Sequence, residues 1–118
     1  MRHTVTDHDT AASLGSGDLA VLGTPRLLAW MEAATMEAAA GLLAPGQTTV
    51  GTAVRIRHRR PTPVGGTVTV TAEPSDGGED GHLTFTVRAT DESGQVIGDG
   101  EVDRVIVDRA RFLSRHDR

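Results

Sequence analysis

The sequence predicts an α+β fold, one long helix packed on a single antiparallel sheet. Apolar residues recur at helical spacing through Pro25–Ala40, and from Thr48 onward the repeat shortens to two residues. The alternating stretches are separated by short Gly-, Pro- and Asp-containing turns, which join antiparallel neighbours. One helix against four or five strands is a two-layer arrangement.

Within Arg2–Asp9 a short strand is expected, followed by a loop through Leu14-Gly15-Ser16-Gly17-Asp18. His3 and His8 lie five positions apart and face opposite sides of a strand, so they share no metal there and read as exposed polar residues near a terminus. The helix starts at Thr24-Pro25, with threonine as N-cap and proline in the first turn, and ends at Gly41 or Gly46. At about 100° per residue, Leu27, Leu28, Met31, Ala34, Thr35, Ala38 and Leu42 gather on one side. Arg26, Ala33, Glu37 and Ala40 occupy the other.

Next, Val50, Thr52, Val54, Ile56 and His58 alternate with Gly51, Ala53, Arg55, Arg57 and Arg59. Pro61, Pro63 and Gly65-Gly66 turn the chain into a strand over Thr67–Glu73. A loop from Pro74 to Gly81 leads to a strand over Leu83–Thr90. Asp91–Gly94 turns into the last strand, Val96–Val107, and Asp108–Ser114 adds a short helical tail. Joined by short connections, the last four strands read as a meander. Both sheet edges and an incompletely covered apolar face then lead to dimerisation through an edge, the helix or both.

The 118 residues make one domain, 1–118, with one core. Aromatics are 3% of the chain, so aliphatic side chains and alanine fill that core. There is no cysteine, which excludes disulfides, thiolate metal sites and cysteine nucleophiles. All 12 Lys+Arg residues are arginine, which excludes Schiff-base and phosphate-loop lysines. A net charge of −4 argues against a nucleic-acid partner. No apolar run reaches membrane-spanning length and no signal segment stands out, so cytoplasmic residence is expected. No metal or cofactor is called for.

Glu32 lies on the margin of the apolar stripe, beside Leu28, Ala39 and Leu43. A carboxylate partly withdrawn from water gains basicity, which suits a general base; the alternative is a boundary residue reaching water or an arginine. His58 shares parity with the apolar residues of its strand, as an acid–base group or as a core-edge histidine bonded to a carbonyl. Thr24 either caps the helix or turns its hydroxyl toward a substrate. Gly51 inside a strand marks a bulge or a close approach to a ligand. The arginines of Arg55–Arg60 are a solvated face or an anion patch.

Read together, Gly23-Thr24-Pro25…Met31-Glu32, Leu43-Ala44-Pro45-Gly46…Val50-Gly51-Thr52-Ala53-Val54…His58 and Pro61-Thr62-Pro63-Val64-Gly65…Val68–Glu73 resemble the fluoroacetyl-CoA thioesterase family of hotdog-fold proteins. The likeness runs from about Val21 to Phe112. In that family a threonine, a glutamate eight residues on and a histidine 26 further form the catalytic set, and Thr24, Glu32 and His58 stand at those offsets. The resemblance implies a hotdog fold with a central helix on a five-stranded sheet, and a homodimer with active sites at the subunit interface. It further implies an acyl-CoA or acyl-carrier thioester as substrate, with Gly51 and Arg104 on the substrate-binding side. Two departures matter, the first for specificity and both for the choice between catalysis and binding alone. The family's fluoroacetyl-specific members carry a phenylalanine in a lid before the helix, where this chain reads Asp18-Leu19-Ala20-Val21-Leu22. The family's last strand often reads Gly-x-His-Glu-Arg, where this chain has Gly100-Glu101-Val102-Asp103-Arg104. The expected function is hydrolysis of a small or medium acyl thioester other than fluoroacetyl; the alternative is a non-catalytic hotdog module that binds one.

Overall fold

The computed structural model describes residues 1–77 and 79–116. The elements run β1 (Arg2–Thr4), a 3₁₀ turn (Asp7–Asp9), α1 (Ala11–Leu14), α2 (Thr24–Ala39) with a 3₁₀ extension (Ala40–Leu42), and β2 (Gln47–His58). They continue with β3 (Thr67–Gly77), a 3₁₀ turn (Glu79–Gly81), β4 (His82–Thr90), β5 (Val96–Asp108) and α3 (Arg109–His116). All five strands form one antiparallel sheet in the order β1-β3-β4-β5-β2, with α2 laid across it. This is the architecture of the hotdog fold.

The strand order corrects the simple meander. β2 does not pair with β3, its neighbour in sequence; it crosses to the far edge and pairs with β5 from Gln47↔Asp108 to His58↔Gly98. The link from Arg59 to Gly66 is held on the way by Leu22 N–H to Thr62 O (2.8 Å) and Gly65 N–H to Val5 O (2.8 Å). Strand β3 also runs through the expected loop at Pro74. β1 pairs with β3 only at Thr67–Thr69, so the missing proline N–H faces an unpaired edge.

The core lies between α2 and the sheet. Leu27, Met31 and Ala34 meet Val68, Val70, Val87, Ala89, Ile97 and Val102. The helix seats directly on β5 at Gly98, where a Cβ would lie 2.9 Å from Leu27 Cδ2. A smaller cluster joins Ala39 to Leu83 and Phe85. Leu42, expected on the buried side, is 53% exposed, because the helix tightens to 3₁₀ geometry after Ala39 and the angular repeat changes. His3 is half-buried rather than exposed, its ring stacked on Trp30 with centroids 4.2 Å apart. Among the described residues, no helix is long and apolar enough to cross a membrane.

Candidate active site

The start of α2 lies one residue earlier than its sequence signal. Gly23, with φ −78° and ψ 141°, is the N-cap, and its carbonyl accepts from the Arg26 and Leu27 N–H groups at 3.0 and 3.1 Å. α1 crowds this point: a Cβ on Gly23 would sit 3.0 Å from Leu14 Cδ1 and 3.1 Å from the Ala11 backbone. Glycine avoids this crowding at the cap, and Thr24 is the first helical residue. No side-chain cap forms, and the Thr24 hydroxyl is released from that duty.

The hydroxyl turns instead to β2. Thr24 Oγ1 lies 2.8 Å from His58 Nδ1. His58 ends its strand, and the chain beyond it is pinned by the Arg59 and Arg60 N–H groups, which both donate to Ile97 O at 2.7 and 3.2 Å. Burial pushes His58 below the ordinary histidine value of 6.5, and a backbone contact with Arg60 opposes this. The neutral ring is therefore favoured. A cavity of about 260 Å³ opens beside the pair, walled by Ala11, Val21, Leu22 and Pro61.

Glu32 lies two turns along α2, about 12 Å from Thr24 at 1.5 Å per residue. Its side chain is 35% exposed, and Oε2 accepts from Arg104 Nη1 at 3.3 Å. Arg104 projects from β5 beneath the helix and is 6% exposed. Its Nε donates to Thr49 Oγ1 (2.8 Å), and its Nη2 reaches Thr49 O and Met36 Sδ, both at 3.1 Å.

Gly51 stands against the same carboxylate. A Cβ there would lie 2.6 Å from Glu32 Oε2 and 3.4 Å from Arg104 Nη1. The pairing of β2 with β5 also slips between Gly51 and Ala53, so the position is both a bulge and a close approach. The slip reverses the alternation of β2: Thr49 is buried on the helix side, as are parts of Val54, Ile56 and His58 beyond the bulge. Val50, expected inward by unbroken parity, is only half-buried.

Thr49 and Met36 were not singled out in the sequence. Unbroken parity sends Thr49 to the polar face, and the bulge that turns it inward is marked by Gly51 alone.

Within one chain the candidates thus form two groups, Thr24 with His58 and Glu32 with Gly51 and Arg104. Of the arginine run, Arg59 and Arg60 line the cavity beside Thr24 and His58, while the Arg55 and Arg59 guanidinium groups are held in ion pairs. Arg55 pairs with Asp103 (3.0 Å) and Glu101 (3.2 Å), and Arg59 with Asp99 (3.0 Å), across the outer face of the sheet.

The sequence pattern described as fluoroacetyl-CoA-specific thioesterase matches residues 5–110 of the chain. The fluoroacetyl-CoA thioesterase of Streptantibioticus cattleyicolor is 37% identical over 95 residues, spanning 80% of this chain and 67% of that enzyme. A point variant of the fluoroacetyl-CoA-specific thioesterase FlK, solved in complex with fluoroacetate and CoA, is 32% identical and superposes with a TM-score of 0.86 over 95% of this chain and 93% of that one. A Thermus thermophilus thioesterase superfamily member superposes with a TM-score of 0.89 at 26% identity, over 99% of this chain and 85% of that one.

Proposed function

The chain belongs to the fluoroacetyl-CoA-specific thioesterase family, and from that premise we propose that it is a cytoplasmic acyl-CoA thioesterase working as a homodimer. It releases a small or medium carboxylate and the free thiol. The observation that carries this reading is the Thr24–His58 contact of 2.8 Å. It joins two residues 34 positions apart and takes the hydroxyl away from the capping role that would otherwise explain it.

In the proposed reaction Glu32 is the general base that takes a proton from the attacking water. Thr24, held by neutral His58, positions that water against the thioester carbonyl. The Gly51 N–H donates to the developing oxyanion, and Arg104 holds Glu32 in place. The water oxygen bonds to the carbonyl carbon, the C–S bond breaks with the electron pair leaving on sulfur, and the thiolate takes up the proton held by Glu32. A thiol with a pKa of about 8.5 leaves readily, so no strong general acid is required.

Thr24 and Glu32 stand too far apart on one helix to share a small acyl carbon. A site built from Thr24 and His58 of one protomer and Glu32, Gly51 and Arg104 of its partner resolves that distance. It also gives the open edge of β2 a role in assembly.

The acyl group is proposed to differ from fluoroacetyl. The segment Asp18–Leu22 holds no aromatic side chain, and its Val21 and Leu22 wall the cavity with small aliphatic surface. A panel of acyl-CoAs assayed for thiol release tests the function. Turnover of short and medium acyl-CoAs, abolished in Glu32→Ala, supports it. Calorimetric binding without thiol release on every member would make the chain an acyl-thioester binding module instead.

A further inference from the structure

We propose that Thr49 is a positioning residue that aims Glu32 through Arg104; this rests on the catalytic role of Glu32 proposed above. Four contacts hold the Arg104 guanidinium, and Thr49 supplies two of them: its hydroxyl accepts from Nε at 2.8 Å, and its carbonyl accepts from Nη2 at 3.1 Å. The contact to Glu32 is longer, 3.3 Å. Thr49 is 4% exposed and sits in the β2–β5 ladder opposite Ile106, so its own position is fixed by the sheet. Glu32, by contrast, is a flexible side chain on the margin of the helix, 35% exposed. Rigidity therefore passes from the sheet through Thr49 to the guanidinium, and from the guanidinium to the carboxylate.

The fork geometry of arginine makes this transfer effective. Nε and Nη2 lie on one edge of the planar group, and both engage Thr49; Nη1, on the other side, is then aimed at Glu32. Met36 completes the seat. Its thioether accepts from Arg104 Nη2 at 3.1 Å and from the Thr49 hydroxyl at 3.3 Å, orienting that hydroxyl so that its lone pair faces Nε. Removing the hydroxyl leaves a buried guanidinium N–H without its acceptor, and the group turns to find another.

The test uses Thr49→Val, which keeps the shape and removes the hydroxyl, and Thr49→Ser, which restores it. Thr49→Val is expected to lower kcat about tenfold with KM changed less than about twofold, since the loss falls on alignment rather than on binding. Thr49→Ser is expected to recover most of the rate. Independently of activity, the Arg104 Nε–H resonance in arginine-selective NMR is expected to be protected from solvent exchange in the wild type and Thr49→Ser, and unprotected in Thr49→Val. A Thr49→Val protein with wild-type kcat, or with an Nε–H protected as in the wild type, would overturn the proposal. Glu32→Gln assayed alongside separates the two levels. If it is active, the catalytic reading falls and takes this proposal with it; if it is inactive while Thr49→Val is fully active, the proposal alone falls.

Discussion

Thr24 Oγ1 and His58 Nδ1 lie 2.8 Å apart, tying the first turn of α2 to the last residue of β2. A threonine beside a helical proline has an ordinary structural use as an N-cap, and here Gly23 performs it. The hydroxyl is thereby separable from the stability of the helix.

Replacing Thr24 with valine is accordingly expected to leave the melting temperature within about 2 °C of the wild type. The same change lowers kcat by about a hundredfold, the scale of losing one polar group aligned with the reacting centre. Thr24→Ser keeps the contact and most of the activity. Steady-state kinetics beside thermal melts check this. A large drop in melting temperature for valine would mean that the Thr24–His58 contact serves the fold.

The pH profile follows from the burial of His58, which holds it below 6.5. Catalysis in this account uses the neutral ring, so the acid limb that His58 contributes to kcat/KM has its midpoint below 6.5 and is missing from an active-site variant such as His58→Gln. Folding obeys the same sign. The unfolded chain takes up the proton first, so the protein loses stability as pH falls below 6.5 until the folded-state value is passed. His3, also lowered chiefly by burial, pulls in the same direction. Chemical denaturation across pH 5–8 in wild type and His58→Gln would show a smaller loss in the variant; identical curves would count against a depressed His58.

Gly51→Ala separates fold from chemistry. The new methyl would meet Glu32 Oε2 at 2.6 Å, but that atom ends a flexible side chain and can yield. Stability is expected to change by less than about 1 kcal/mol, while kcat falls about tenfold or more as the carboxylate is pushed from Arg104. A crystal structure of the variant would show Glu32 displaced. An active variant with Glu32 unmoved would mean that its position does not govern the rate.

Gly98→Ala tests the seating of the helix. Its Cβ would lie 2.9 Å from Leu27 Cδ2 and 3.1 Å from Arg57 O, in a close-packed core with no slack. A loss of about 1–3 kcal/mol in urea unfolding is expected. No loss would mean that α2 rides higher on β5 than the contacts indicate.

Local chemistry made α2 and the strand periods readable: the Thr24-Pro25 start, the alanine- and leucine-rich stripe, and the alternation around Val68, Val70, Phe85 and Val87. The offsets of Thr24, Glu32 and His58 were also visible, and each proves to lie at a margin between helix and sheet. Features set by contacts distant in sequence were not. β2 pairs with β5 rather than β3, and the Arg59–Gly66 crossing this requires is held by Leu22 and Val5, which lie far upstream. Thr49 turned inward because a one-residue slip at Gly51 inverts the parity before it. The N-cap lies at Gly23, crowded by α1, and that crowding exists only once the chain is folded.

Complementation between two inactive variants tests the composite site most directly. Glu32→Gln and His58→Ala chains, each inactive as a homodimer, are co-expressed and the heterodimer is purified by two different tags. With Thr24 and His58 from one protomer facing Glu32 from the other, the heterodimer contains one intact site and one doubly substituted site. It should show about half the wild-type kcat per dimer, given independent sites. A heterodimer as inactive as its parents would place the whole site within one chain and contradict the account.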